Sequence, residues 1–309
     1  MKVSPNGPET VKICFPILRQ GGKYSTLVIC PLVAGNPLKI MKLQKPGIAL
    51  LLLCLTWVGN GEEAKSIRIL CYNIHYGQGN DGVYDVERLA KVIEAAKPDL
   101  VALQEIDVMV ERSGRVHQIR ELGKLTGMAS RYGPTQHYQG GLYGNGVLSR
   151  LPVLDVVIHP LPYTESTEEL VTYPRAAIAV TVEAPDGKPL RFISTHFQHN
   201  VEADRIEQAK EINRLFVEEE ESPIRTILAG DMNALPDSEP MAILLKHWDI
   251  SKDEGLAPTA PAKAPRSRID YILTRKGDPL FTKEARVIDE KMASDHLPVF
   301  SVIELKAAE

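Results

Sequence analysis

Six stretches of this chain close or open an apolar run with carboxylate, amide or imidazole side chains. Asn73 ends SIRILCYN, Glu105 lies near the end of LVALQEID, and His196 follows Thr195 after LRFIS. Asp231 and Asn233 follow TILAG, Asp270 stands before YIL, and the pair Asp295-His296 precedes LPVF. One such residue is ordinary, because every strand must reach solvent somewhere. Six together describe a site assembled at one edge of the sheets. Carboxylates and an amide, with no cysteine among them, suit a hard divalent cation such as Mg²⁺ or Mn²⁺. Such ions keep water and bind phosphate oxygens, so the chemistry to expect is hydrolysis of a phosphate ester by water. A histidine held by an aspartate would complete the site, since the carboxylate favours the imidazolium. The chain has no Gly-x-Ser-x-Gly nucleophile and no Gly-x-x-x-x-Gly-Lys phosphate loop.

Strands and helices must carry these residues to one place. Residues 66–73 and 100–107 read as strands. Between them Asp85 can cap a helix whose apolar positions Val86, Leu89, Ala90 and Ile93 follow helical spacing, ended by Lys97-Pro98-Asp99. A second helix covers 117–125 and stops at Gly127, and GNGVLSR (144–150) leads into another short strand. Residues 176–182 and 190–194 flank Pro185-Asp186-Gly187 as a hairpin. A helix over 203–217 places Ile206, Ala209, Ile212 and Phe216 on one face, and EEEE (218–221) reads as its solvated end. Strands follow at 226–233, 267–273 and 298–305, while LAPTAPAKAP (256–265) is a loop. This mixture predicts sheets covered by helices within one domain.

The 309 residues begin differently from how they continue. Residues 41–61 carry Met41, two lysines, an apolar run from Gly47 to Val58, and then Gly59 and Gly61. The run is short for a bilayer span but right for the apolar core of a secretory signal. The reading is translation from Met41, residues 1–40 as a disordered upstream extension, a signal peptide at 41–61, and a domain at 62–309. The product is then exported, to the periplasm or beyond the cell. Of Cys14, Cys30, Cys54 and Cys71, only Cys71 would remain, as an inert core thiol. The first 61 residues hold seven Lys or Arg against one Glu, leaving 29 basic and 39 acidic residues in the remainder. That balance disfavours a non-specific grip on duplex DNA, which calls for a basic stripe. The one basic cluster is the short stretch from Lys263 to Arg268.

The ordered series YN (72–73), LQE (103–105), GNGVLSR (144–150), STH (194–196), GDMN (230–233), RIDYIL (268–273) and SDHLPV (294–299) resembles the endonuclease/exonuclease/phosphatase superfamily. The resemblance spans about residues 66–305. It implies a deoxyribonuclease-I-like α/β (α+β) fold, a four-layer sandwich of two packed mixed β-sheets flanked by helices. It also implies metal-dependent cleavage of a phosphoester.

Roles follow from the resemblance residue by residue. Glu105 matches a metal-ligating glutamate, assisted by Asn73 and Asp295. Asp231 matches the aspartate that positions or activates the attacking water, and Asn233 the asparagine that orients water and phosphate. Asp270 matches the partner of His296, and His296 the histidine on the scissile phosphate. His196 resembles a second phosphate contact. His75 departs from relatives that carry an acid two residues after the asparagine, which puts a second metal in doubt. Arg175 can neutralise phosphate or simply be a solvated cation. Asn145 reads as a substrate contact or a left-handed turn residue, and Asn200, with His199, as a substrate contact or loop. Tyr143 reads as packing. The leading expectation is an exported Mg²⁺- or Mn²⁺-dependent phosphodiesterase, with no obligate protein partner. Its substrate is a phospholipid headgroup, a nucleotide or nucleic acid. A secreted endonuclease or exonuclease is the alternative. A non-catalytic binding module on the same fold ranks lower, because the carboxylate, amide and histidine set is complete.

Overall fold

The structure, a computed structural model, describes residues 65–219, 224–252 and 255–306. The expected upstream extension at 1–40, the expected signal peptide at 41–61 and part of the acidic run at 218–221 lie outside the described residues. The strands are β1 (Lys65–Asn73), β2 (Leu100–Val108), β3 (Ala129–Tyr138), β4 (Gly141–Ser149), β5 (Val153–Leu161), β6 (Arg175–Glu183), β7 (Pro189–His196), β8 (Arg225–Asp231), β9 (Trp248–Ile250), β10 (Asp270–Arg275), β11 (Leu280–Val287) and β12 (Val299–Leu305). The helices are α1 (Val86–Ala96), α2 (Gln118–Thr126), α3 (Glu202–Asn213) and α4 (Glu239–Leu244). One sheet has the order β11-β12-β1-β2-β4-β3 and the other β5-β6-β7-β8-β10-β9.

The layers follow from alternation along the strands. In β1, Ile67, Ile69 and Cys71 face the second sheet and meet Val180, Phe192, Ile227 and Ile272. Leu70 and Tyr72 face the other way, toward Leu89 and Ile93 of α1 and Ile119 and Leu122 of α2. The second sheet is covered on its outer face by α3 and α4, through Ala209, Ile212, Phe216, Met241 and Leu244. Helix, sheet, sheet and helix therefore stack in four layers around three apolar seams. Cys71 is buried in the middle seam, and burial pushes its thiol well above the ordinary value, as an inert core residue requires. Among the described residues no helix is long and apolar enough to cross a membrane.

Local signals set the element ends. The Asp85 carboxylate accepts the Arg88 N–H at 2.9 Å and starts α1, and Lys97 in the left-handed region stops it before Pro98. Gly127, also left-handed, ends α2. The helix over 203–217 holds as α3, and a π turn at Arg214–Glu218 extends it, burying Phe216. GNGVLSR does lead into a strand, β5 at Val153, but GNGVLS is also a strand itself. It is part of β4, which already begins at Gly141.

Topology decides where strand ends go. Each sheet contains one parallel pair, β1 with β2 and β7 with β8. Their carboxyl ends carry Asn73, Glu105, His196 and Asp231. The antiparallel strands β10 and β12 begin at the same edges, since Asp270 pairs with Asp231 and Val299 with Cys71. Gly230 lets β7 and β8 approach closely at this edge, because an added Cβ would lie 2.2 Å from the Thr195 carbonyl oxygen.

Candidate active site

The six expected segments converge. A cavity of about 290 Å³ is lined by Glu105, Asp231, Asn233, His196 and His296, together with Arg112, Gln136, Tyr138, Tyr143, Tyr173, Arg175 and His199. Asn73 sits fully buried beneath it, and its amide N–H groups donate to Glu105 Oε1 at 3.1 Å and to Asp231 Oδ2 at 3.0 Å. One amide thus fixes two carboxylates, one from each sheet. The Asn73 Oδ1 accepts the His75 backbone N–H at 3.0 Å, which locks the amide's orientation.

Backbone irregularities aim two of these side chains. The pairing of β2 with β4 shifts between Leu103 and Ile106, and Glu105 in that bulge takes φ +60°. A regular strand would alternate Glu105 with Gln104; the bulge turns the carboxylate into the cavity. Asn233 also takes a left-handed φ, +47°, which asparagine tolerates better than most residues. Its N–H donates to Asp231 Oδ1 at 2.9 Å, and its amide donates to the Phe197 carbonyl at 3.1 Å.

The two histidines occupy opposite electrostatic settings. His296 Nδ1–H donates to Asp270 Oδ2 at 2.9 Å, and its Nε2 lies 3.8 Å from Asp231 Oδ2. Burial opposes the charge on His296, but Asp270 and Asp231 outweigh it and hold the imidazolium well above its ordinary pKa. His196 Nδ1 accepts from Arg175 Nη1 at 3.2 Å. Its Nε2 lies 3.0 Å from the Asn233 amide nitrogen and 3.5 Å from Asp231 Oδ2. Burial first, then Arg175 and His296, keep this imidazole well below its ordinary value and neutral. An unfolded chain would take up that proton near pH ~6.5, whereas the folded chain resists it. The contribution of neutral His196 to stability is present above that pH and is lost as the pH falls. His196→Asn is expected to flatten the acid side of a plot of Tm against pH. Parallel acid slopes for both proteins would contradict the assignment.

The chemistry of the donor set fits a divalent cation. Asp231, Asp270 and His296 crowd polar atoms within 4.8 Å of one another, but His296 is already engaged by Asp270, which leaves the carboxylates and the amide as the oxygen donors for such an ion. Asp270 Oδ1 is buried and has no hydrogen-bond partner among the described residues, and burial together with Asp270 raises the Asp231 carboxyl to about 7. Excess negative potential of this kind invites positive charge. The Glu105 carboxylate, half-buried and held by Asn73, opens onto the same cavity.

The remaining expectations separate. Asp295 adjoins Asn73 through Ser294, whose hydroxyl donates to the Asn73 carbonyl at 2.7 Å, but its carboxylate lies 3.8 Å from His75 Nε2. His75 therefore faces Asp295. Arg175 is not a solvated cation: it is 5% exposed and lines the cavity. Asn145 does not line the cavity. It is buried and donates to the Ala176 carbonyl at 2.9 Å, tying β4 to β6 across the two sheets. Asn200 is also outside the cavity lining, exposed and donating to the Val171 carbonyl at 2.6 Å. His199 does line the cavity and stacks on Tyr173 at 5.6 Å. Tyr143, expected only to pack, lines it as well. Arg112, Gln136, Tyr138 and Tyr173 escaped sequence reading because they lie in loops or near a strand end with no periodic signal around them. Only the arginine-rich stretch ERSGR (111–115) could have drawn attention.

Residues 70–296 match the sequence profile of the Endonuclease/Exonuclease/phosphatase family. A solved endonuclease/exonuclease/phosphatase from Beutenbergia cavernae is similar at 26% identity and TM-score 0.65, with 79% of this chain and 72% of that chain covered. A mannosyl-6-phosphatase of Bacteroides thetaiotaomicron is similar at 18% identity and TM-score 0.62, covering 77% of this chain and 99% of that one. The human Nocturnin catalytic domain, solved with a bound sulfate anion, is similar at 18% identity and TM-score 0.59, covering 78% and 95%. The last two likenesses speak for the fold alone. The two six-stranded sheets with flanking helices form the deoxyribonuclease-I-like fold of these structures.

Proposed function

Because the chain belongs to the endonuclease/exonuclease/phosphatase family, we propose that it is a divalent-cation-dependent hydrolase that cleaves a phosphodiester by attack of water. The observation that carries this reading is the convergence on one cavity of Glu105 and Asp231, both held by Asn73, with the pair Asp270–His296 and the buried Arg175. Mg²⁺ or Mn²⁺, held by Glu105 and Asn73 with Asp295 nearby, would supply charge neutralisation at the phosphoryl oxygens. Asp231 accepts a proton from the attacking water, a task suited to a carboxyl raised toward neutrality. Asn233, fixed to Asp231 through its own N–H, orients that water. His296, held cationic by Asp270, donates to a phosphoryl oxygen or to the leaving group. Arg175 and neutral His196 hold the non-bridging oxygens.

The test compares an activated phosphodiester with the corresponding monoester, using the full chain with Mg²⁺ or Mn²⁺. Turnover of the diester should exceed that of the monoester, vanish with a chelator and return when the cation is restored. Turnover that ignores the chelator would remove cation dependence from the proposal, and preference for the monoester would remove the diester.

A further inference from the structure

Two arginines line the cavity in different surroundings. Arg175 has no carboxylate partner among the described residues, so its charge is available to an anion. Arg112 is already neutralised. Its Nε and Nη2 donate to the two oxygens of Asp107 at 2.9 and 3.0 Å, and Asp107 is fully buried. Its guanidinium lies 3.7 Å over the Tyr76 ring and 4.7 Å from Tyr138, so it is held rigidly. Nη1 has no partner among the described residues, and neither does the side-chain amide of Gln136 in the same lining. Tyr143 borders both arginines.

We propose that Arg112, Gln136 and Tyr138 form a specificity subsite for an uncharged, hydroxyl-bearing part of the substrate, so that the preferred substrate is a phosphoester of a small polyol or sugar. This rests on the phosphoester-hydrolase reading of the site. A second phosphate fits poorly, because the Arg112–Asp107 pair has no net charge and brings a buried carboxylate close to any anion. Stacking of a nucleobase also fits poorly: Arg112 lies 4.7 Å over the Tyr138 ring, and His199 stacks on Tyr173 at 5.6 Å. What the subsite offers is directed donors and an amide that both donates and accepts, the pattern that reads hydroxyl groups. The cavity lies at the lower limit of small-molecule pockets, about 300 Å³, which suits a phosphodiester whose retained ester group is compact.

Three diesters with the same p-nitrophenol leaving group separate the possibilities: the other substituent is glyceryl, methyl or the 5′-position of thymidine. The full chain with Mg²⁺ or Mn²⁺ should show a higher kcat/KM for the glyceryl ester than for the methyl ester. Arg112→Gln should lower that ratio about tenfold, chiefly through KM for the glyceryl ester. Gln136→Ala, which breaks no bond within the protein, should move the ratio the same way. Arg112→Lys, which keeps a charge beside Asp107 but loses the planar fork, should also lower it. A ratio unchanged in all three variants would overturn the subsite, as would a preference of the parent protein for the thymidine ester. Failure to hydrolyse any ester would overturn the phosphoester reading and this inference together. Hydrolysis with an unchanged ratio overturns the inference alone.

Discussion

His296→Ala should lower kcat on a phosphodiester by about 10³-fold, within the range known for losing a positioned acid together with a charge at the phosphoryl group. It should also destabilise the fold. Asp270 would keep a buried carboxylate whose Oδ2 has lost its partner and whose Oδ1 never had one. Breaking a buried pair from one side costs about 3–5 kcal/mol. The two effects separate in the double variant His296→Ala/Asp270→Asn, which removes the stranded charge. Its melting temperature should recover much of the loss while kcat stays low. Recovery of kcat along with stability would show that His296 acts through the fold and not on the substrate. The pH dependence has a definite sign. The folded pKa of His296 lies above the unfolded value of about 6.5, so the stability that distinguishes the parent from His296→Ala is full below that pH. It declines as the pH rises through the folded value, and the two melting curves should approach each other in alkali.

Glu105→Gln should abolish most of the stabilisation that Mn²⁺ confers while leaving the unliganded fold nearly unchanged. Glutamine keeps the length of the side chain and an oxygen to accept the Asn73 N–H, and it needs no new backbone conformation at φ +60°. It removes a formal charge from the cation's surroundings. Changes to residues one shell out from a metal cost ~10–100-fold in affinity, and a direct ligand should reach the upper end of that range. At a Mn²⁺ concentration of 100 times its dissociation constant, the parent gains about 2.7 kcal/mol. A hundredfold weaker site gains about 0.4 kcal/mol under the same conditions. Thermal melts across a Mn²⁺ titration read this directly, without an activity assay. An equal rise in Tm for both proteins would place the cation elsewhere.

The central strands were legible and the edges were not. β1, β2, β7, β8, β10 and β12 carry long buried runs, and each was readable as an apolar segment with a polar residue at or just beyond one end. The unread strands β3, β9 and β11, with β5, which was expected after residue 150 but given no bounds, are the four outer strands of the two sheets. Each has a neighbour on one side alone. β5 and β11 bury little of their length, so Asp155, His159, Lys283 and Glu284 interrupt any apolar alternation. β3 and β5 also carry Pro134 and Pro160, residues that speak against a strand when read alone.

The chemistry of the site was determined by sequence alone, because metal and phosphate chemistry depends on which donor atoms exist: Glu105, Asn73, Asp231, Asn233, Asp270 and His296 were identifiable by type and order. Only the tertiary structure decided how those atoms are arranged. The bulge turns Glu105 inward, one buried amide joins Glu105 to Asp231, and Asp295 turns toward His75. It likewise made Asn145 a tie between sheets and Arg175 a buried cation. Arg112, from the loop after β2, and Gln136 and Tyr138, from the end of the edge strand β3, reach the cavity from separate parts of the chain. Their neighbours along the sequence say nothing about their neighbours in space, and a pocket is a property of the latter.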